Sequence, residues 1–188
     1  MAVLPILISG DPVLHSPASP VSHFDRNLVT LVSDMFQTMA AAPGVGLAAP
    51  QVGVPLRLFV YDWVDEQDVE WRGAAINPEL WINPPTIGEA DEESESEGCL
   101  SIPGERFPLR RSDLAILRAF DLDQNSFEIR ASGWLARIFQ HEFDHLDGLL
   151  YADRLEPVHA KAVTKVIRKS GWGVPGLNWM PGVDHPEG

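Results

Sequence analysis

The sequence predicts an α+β fold in which antiparallel strands pack around a central helix, with further helices near the N- and C-termini. Helical periodicity occurs early and late in the chain, and strand-like alternation occurs between them. The two patterns do not alternate as they do in folds with a parallel sheet. With 188 residues, 45% apolar and 22% charged, the chain suits one globular domain. We assign this domain to residues 1–170 and treat residues 171–188 as a C-terminal extension of unknown role.

The first predicted helix is amphipathic. Ser22 and Asp25 have the spacing of a capping box at its start, and Pro43–Gly44 are expected to end it. Its apolar residues have the spacing of one buried helical face. They are Leu28, Leu31, Val32, Met35, Phe36 and Met39.

Strands are predicted in the middle of the chain. They are Leu56–Tyr61, Leu114–Phe120 and Phe127–Ala131. In the last of these, apolar residues alternate with Glu128 and Arg130, as in a half-buried strand. Residues 62–98 contain Asn77–Pro78 and other turn-forming residues, so we predict only short irregular pieces there.

Two further helices follow the strands. Ser132 can cap a helix that runs to about Leu146, and Gly148 is a stop signal after it. The last predicted helix spans Pro157–Lys169. The helix before Gly148 is therefore the central helix of the predicted fold.

Charge and composition exclude several classes of function. The net charge of -13 argues against DNA and against nucleic acid as a general partner, because phosphate binding requires a basic surface. Cys99 is the single cysteine, so no internal disulfide can form. We find no signal peptide and no apolar run of about 18 residues, and we expect a cytoplasmic protein without a membrane span. In the acidic run at residues 91–97, the first six residues, but not Glu97, are expected to form a solvated loop.

The central helix carries the stretch QHEFDHLDGLL, which begins at Gln140. His141 and His145 are four residues apart and share one helical face, as metal ligands in an HExxH motif do. Glu142 lies beside the first histidine, where it can take a proton from a metal-bound water. The motif predicts a metal site, with a chance match in an acidic helix as the alternative.

A catalytic site of this kind usually has three protein ligands and an open position. An extended form of the HExxH motif has a third histidine six residues after the second, but Tyr151 occupies that position in this chain. Asp153 or Glu156 could supply a carboxylate ligand. Cys99 is the better candidate, because a thiolate binds borderline and soft metals and because Glu97 is one of its polar neighbours.

The glycine-rich segment Pro43–Gly53 permits two interpretations. It is either a tight loop between a helix and a strand, or a loop whose free backbone groups and Gln51 amide face a ligand. A dinucleotide-binding loop is excluded, because a helix precedes the segment and Pro50 follows its glycines.

Three stretches together resemble the signature motifs of the peptide deformylase family, in the family's order. They are GVGLAAPQ (Gly44–Gln51), EGCLS (Glu97–Ser101) and QHEFDH (Gln140–His145). Similarity near Asp11–Val21 extends the resemblance to most of the chain, and the C-terminal helix resembles the bacterial type. The resemblance implies that residues 1–170 form a single catalytic domain. Its expected reaction removes the formyl group from the formylmethionine of newly made polypeptides and releases formate.

The resemblance assigns one divalent transition metal ion to Cys99, His141 and His145, with water as the fourth ligand. Ferrous iron, Fe(2+), is the family's usual physiological metal, and Zn(2+) or Ni(2+) can replace it. The metal-bound water attacks the formyl carbonyl, and Glu142 serves as general base and then general acid.

An oxyanion hole is also implied. The Gln51 side chain and the Leu100 backbone N–H would donate hydrogen bonds to the tetrahedral oxyanion.

A substrate pocket is predicted beside the metal. Trp134 and Ile138 share the helical face of the two histidines and would hold a methionine side chain, with ordinary core packing as the alternative. Val45 and Gly46 would close the pocket from the opposite loop. Backbone groups of Gly46 and Gly98 would bind the peptide, and Arg106 matches a position near the entrance. The full predicted set is Val45, Gly46, Gly98, Arg106, Trp134 and Ile138.

Glu97 and Arg111 are predicted to form an ion pair that supports the cysteine loop from behind. The alternative is an ordinary surface pair. Two other functions remain open on the sequence alone: a metalloendopeptidase with a carboxylate as third ligand, and a structural metal site with a fourth protein ligand.

A basic stripe marks the last predicted helix. Lys161, Lys165 and Lys169 recur every four residues, and Arg168 joins them. A solvated face of an amphipathic helix is the simpler interpretation. The other is weak docking to ribosomal RNA, which the resemblance makes the natural polyanion. We expect the protein to be a monomer.

Overall fold

The computed structural model describes residues 2–184 and confirms the α+β class with antiparallel strands. Three α-helices, three short 3-10 helices and three antiparallel sheets are present among these residues. In chain order the elements are β1 (Ile6–Leu7), α1 (Arg26–Ala41), β2 (Gly46–Ala48), β3 (Leu58–Val64), β4 (Glu70–Ile82), β5 (Ser96–Cys99), β6 (Ile102–Pro108), β7 (Leu114–Phe120), β8 (Ser126–Ser132), α2 (Gly133–Leu146), α3 (Pro157–Lys169) and β9 (Asn178–Trp179). None of these helices is both long and apolar enough to cross a membrane.

The main sheet has five strands in the order β2-β3-β4-β7-β8. Its longest strand, β4, contradicts the prediction of short irregular pieces in residues 62–98. The register between β4 and β7 shifts between Ile76 and Glu79, so the Asn77–Pro78 pair forms an irregularity within a continuous strand. Asn77 adopts a positive φ of 50°, and its side-chain amide exchanges two hydrogen bonds with the Val21 backbone. A contact 56 residues away in sequence therefore stabilises a dipeptide that by itself indicates a turn.

Helix α1 begins three residues later than a cap at Ser22 requires. Asp25 is the N-cap, and its carboxylate accepts hydrogen bonds from the backbone N–H groups of Asn27 and Leu28. The predicted capping role of Ser22 is therefore wrong. The helix ends at Ala41, just before the predicted stop at Pro43–Gly44.

Strand β3 is buried on both faces. Leu58 and Val60 pack in the same apolar cluster as Met35 of α1. Phe59 points to the other face and packs in a cluster with Phe139 of α2. Burial on both faces explains the continuous apolar run of this strand.

Helix α2 is held in place at Gln140, near its middle, and at Gly148, just after its C-terminal end. The Gln140 side chain accepts a hydrogen bond from Ser112 N–H at 3.0 Å and donates to the Ser112 carbonyl at 2.9 Å. Gly148 follows the helix with a φ of +77°, and a Cβ there would lie 2.7 Å from the Ser16 nitrogen. Only glycine suits both the left-handed conformation and the close approach. These contacts fix the rotation of α2 and hence the direction of its histidines.

The chain after α3 folds back onto the N-terminal segment. β9 pairs with β1 in an antiparallel two-stranded sheet. Residues 172–179 of the predicted extension thus contact the rest of the chain, and residues 185–188 lie outside the described part of the chain.

Candidate metal centre and active site

Three side chains converge between α2 and the β5–β6 hairpin. Cys99 ends β5, while His141 and His145 face it from the central helix. The Nε2 atoms of the two histidines are 3.2 Å apart, and the Cys99 sulfur is 3.4 Å from His145 Nε2. For usual metal–ligand bond lengths, a tetrahedral site separates two nitrogens by about 3.3 Å and a sulfur from a nitrogen by about 3.5 Å. The three atoms therefore fit three corners of a tetrahedral transition-metal site.

No fourth His, Cys, Asp or Glu joins this group within residues 2–184. Asp153 instead accepts a hydrogen bond from the Leu150 backbone N–H at 2.8 Å, and Glu156 is exposed. Among the described residues, a metal ion bound here would therefore have three protein ligands. Three protein ligands are typical of catalytic metal sites, whereas structural sites usually have four.

Glu97 orients the first histidine. His141 Nδ1–H donates to Glu97 Oε1 at 2.6 Å, which leaves Nε2 free as the ligand atom. Burial alone would lower the pKa of His141, but the Cys99 sulfur and the Glu97 carboxylate raise it well above its ordinary value. His145 has no such carboxylate partner, because its Nδ1 atom is buried without a hydrogen-bond partner among the described residues.

Behind Glu97 lies a buried network of charges. Arg111 binds both oxygens of Glu97, at 2.7 and 3.1 Å, and also Asp144 at 2.6 Å. Arg137 donates to Glu97 at 3.1 Å from the other side. Burial alone would raise the pKa of Glu97, but Arg111 and His141 hold it far below the ordinary value. Glu97 is therefore an anion, and the surface-pair alternative does not apply because both partners of the Glu97–Arg111 pair are buried.

Glu142 lies on the cleft side of the histidines and is 4% exposed. Its Oε2 atom is buried without a hydrogen-bond partner among residues 2–184. Burial raises the pKa of Glu142 to about 7. A carboxyl group with this pKa can both accept and release a proton near neutral pH.

Gln51 reaches the metal centre from the loop after β2. Its Oε1 accepts a hydrogen bond from Ala48 N–H at 2.9 Å, which fixes the orientation of the amide. Its Nε2 lies 3.3 Å from Ser101 Oγ and 3.7 Å from the Cys99 sulfur. An N–H donor thus lies beside the candidate metal centre, and this arrangement supports the interpretation of this loop as one that faces a ligand.

A cleft of about 540 Å³ opens beside the three candidate ligands. All six predicted substrate-binding residues line it, together with Gln51, Leu100 and Glu142. Ile138 is buried and Trp134 is 37% exposed, so Trp134 forms part of the rim. Arg106 is exposed at the edge, where it donates to the Ser96 carbonyl at 2.9 Å.

Several residues of this site escaped the sequence analysis. Trp63 lines the cleft and packs against Trp134 with the rings tilted by 36° and their centroids 6.3 Å apart. Tyr151 stacks on His141 at 6.3 Å, so the residue that replaces the third histidine of the extended motif supports the first. Arg137 and Asp144 showed no sequence signal beyond being charges on an otherwise buried helix face.

The chain matches the sequence model of the polypeptide deformylase family over residues 3–161. The peptide deformylase of Rhodococcus opacus is 49% identical over 193 residues, which cover 100% of this chain and 98% of that relative. A peptide deformylase structure from Legionella pneumophila superimposes with a TM-score of 0.76 at 39% identity, covering 90% of this chain and 96% of that one. One from Synechococcus elongatus, in complex with actinonin, gives a TM-score of 0.76 at 34% identity, covering 93% and 91%. The chain therefore belongs to the polypeptide deformylase family, whose enzymes remove N-formyl groups from nascent peptides.

Proposed function

We propose that this protein is a metal-dependent hydrolase that releases formate from the N-terminal formylmethionine of newly made polypeptides in the cytoplasm. The observation that supports the metal-dependent reaction most is the convergence of Cys99, His141 and His145 beside a cleft that Glu142 also lines. The donor set of one thiolate and two imidazoles suits Fe(2+), Zn(2+) or Ni(2+), with Fe(2+) expected from the resemblance.

A divalent ion in this site supplies Lewis-acid activation of water and of the formyl carbonyl. Glu142 accepts the proton of the attacking water and then donates it to the leaving amine, for which a pKa of about 7 is suitable. The Gln51 Nε2–H and the Leu100 N–H donate hydrogen bonds to the oxyanion that forms from the formyl oxygen. Glu97 and Arg111 hold His141 in the tautomer that leaves Nε2 as the ligand atom.

The cleft provides a binding pocket for the methionine side chain. Ile138 and Trp134 form its apolar wall on α2, while Val45 just before β2 and Gly46 at the start of β2 line the cleft as well. The backbones of Gly46 and Gly98 belong to strands β2 and β5, so they can pair with an extended peptide. Arg106 stands at the open end, where the downstream peptide leaves.

The deciding experiment measures formate release from a formyl-Met tripeptide and the metal content of the same sample. Wild-type protein should contain one transition-metal ion per chain and release formate. Glu142→Ala should keep the ion and lose about 10²–10⁴-fold in rate, as expected for a general base. Cleavage of an unformylated internal peptide bond by wild-type protein, without formate release, would identify an endopeptidase instead.

We further propose that the basic stripe of α3 docks weakly on ribosomal RNA near the nascent-chain exit. Lys161, Lys165, Arg168 and Lys169 are exposed, while Val163 on the opposite side of α3 is buried. In a chain of net charge -13, a local basic surface is where contact with a polyanion can form. We expect the protein to remain a monomer.

Reversing the three lysines to glutamate should abolish salt-sensitive cosedimentation with ribosomes and leave hydrolysis of free formyl peptides intact. A matched control reverses Arg72, Arg118 and Arg130, which are exposed and lie on the main sheet, so the change in net charge is the same. An equal loss of cosedimentation in the control variant would reject the docking stripe. Absence of cosedimentation of the wild-type protein at low salt would reject it as well.

A further inference from the structure

The segment after α3 forms a C-terminal strap, residues 171–180, that crosses the start of the chain. Beyond the β1–β9 pairing, Ile8 N–H donates to the Leu177 carbonyl at 2.9 Å, and Gly173 N–H donates to the Ser9 carbonyl at 2.8 Å. Backbone hydrogen bonds at several points fix the path of the strap relative to the domain.

The strap ends at the loop of the cysteine ligand. Trp179 in β9 is 8% exposed, and its indole N–H donates to the Leu100 carbonyl at 2.9 Å. This carbonyl belongs to the same peptide unit as the Ser101 N–H, which lies 3.4 Å from the Cys99 sulfur. One peptide unit therefore connects the indole N–H to the predicted thiolate ligand. Hydrogen bonds in such a chain polarise and strengthen one another.

The same loop is held from two other sides. Ser9 N–H donates to the Ser101 carbonyl at 2.8 Å, and Gln51 Nε2 lies 3.3 Å from Ser101 Oγ. Of these contacts, only the one from Trp179 acts on the peptide unit between Leu100 and Ser101. It restrains the rotation of that unit, and with it the direction of the Ser101 N–H.

We propose that Trp179 is a positioning residue for the metal centre. Its indole N–H fixes the Leu100–Ser101 peptide, so that the Ser101 N–H stays directed at the Cys99 sulfur. The inference rests on the proposed role of Cys99 as a metal ligand. It gives residues 171–180, for which the sequence offered no function, a role in the reaction.

The consequences separate positioning from simple packing. Trp179 does not line the cleft, so its removal leaves substrate contacts in place and KM nearly unchanged. Loss of one neutral hydrogen bond corresponds to about a two- to ten-fold fall in kcat. Weaker donation to the thiolate also changes its electron density, which alters the thiolate-to-metal charge-transfer absorption of the Co(2+)-substituted protein.

The experiment compares two changes at one position. Trp179→Phe removes the N–H together with part of the ring. Replacement of Trp179 by 3-benzothienylalanine, introduced by codon suppression, keeps the bicyclic shape and removes only the N–H. Trp172→Phe is the control, because Trp172 is a partly buried residue of the same strap whose indole N–H has no partner among residues 2–184.

Both changes at Trp179 should lower kcat and shift the Co(2+) charge-transfer band, with KM retained, while Trp172→Phe does neither. A lower Tm with kcat and the band unchanged in the benzothienyl protein would refute the positioning role and leave the strap as packing alone. Absence of a thiolate band in wild-type Co(2+) protein would instead count against Cys99 as a ligand, so the two failures are distinguishable.

Discussion

Gly46 sets the position of the proposed catalytic base. A Cβ atom added at this glycine would lie 2.3 Å from Glu142 Oε1 and 2.7 Å from its Cδ. Ordinary contacts begin at 3.4 Å, so the Gly46→Ala variant requires the carboxylate to retreat by about 1 Å. Gly46 has no positive φ and remains paired with Tyr61 in the sheet, so alanine is compatible with its backbone conformation.

The cost should appear in catalysis rather than in folding. Misplacement of a catalytic group by about 1 Å can reduce the rate by about 10²-fold. We therefore expect kcat/KM of Gly46→Ala for a formyl-Met tripeptide to fall by about 10²-fold, with metal content and Tm close to wild type. Steady-state formate release, elemental analysis and thermal unfolding measure the three quantities.

A double-mutant cycle identifies the cause. If the methyl group acts through Glu142, then adding Gly46→Ala to a Glu142→Ala background should cost little further rate, because the displaced carboxylate is already absent. A full second loss in the double variant would show that the methyl group blocks the substrate instead. An unchanged rate in the single variant would refute the geometric reasoning.

Four other variants test the remaining parts of the site. Cys99→Ala should lose most of its bound metal, measured by elemental analysis; full occupancy would exclude the thiolate as a ligand. Gln51→Ala should lower kcat by about 10²–10³-fold and KM little, as for one oxyanion donor, and the reverse pattern would indicate a substrate-binding role. Glu97→Gln should weaken metal affinity by about 10–100-fold in a chelator competition. The pKa of Glu97 in the folded protein lies below its ordinary value of 4.5, so the stability that the Glu97 carboxylate contributes is fully present above pH 4.5 and is lost as the pH falls further. Acid should therefore lower the Tm of wild type more than that of Glu97→Gln. Gly10 has a φ of +108°, and a Cβ atom added there would lie 2.3 Å from the backbone of Gly173 in the strap. Gly10→Ala should therefore lower Tm by about 5 °C. An unchanged Tm would mean that the strap can move aside at little cost in stability.

The sequence alone determined the elements whose signals are local. The bounds predicted for α3, Pro157–Lys169, and for the strand Leu114–Phe120 agree with the structure. The four-residue spacing of His141 and His145 was enough to place both imidazoles on one face of α2. Helical and strand periodicities depend on neighbouring residues only, so a single sequence carries them completely.

Tertiary packing decided the rest. β4 remained hidden because the turn signal of Asn77–Pro78 is overridden by the distant backbone of Val21. Likewise, no spacing rule relates Trp179 to Leu100, which are separated by 79 residues and brought together by the pairing of β9 with β1. The roles of such residues depend on hydrogen bonds and buried charges between segments that are adjacent only after the chain has packed its core, and local sequence patterns do not record those distances.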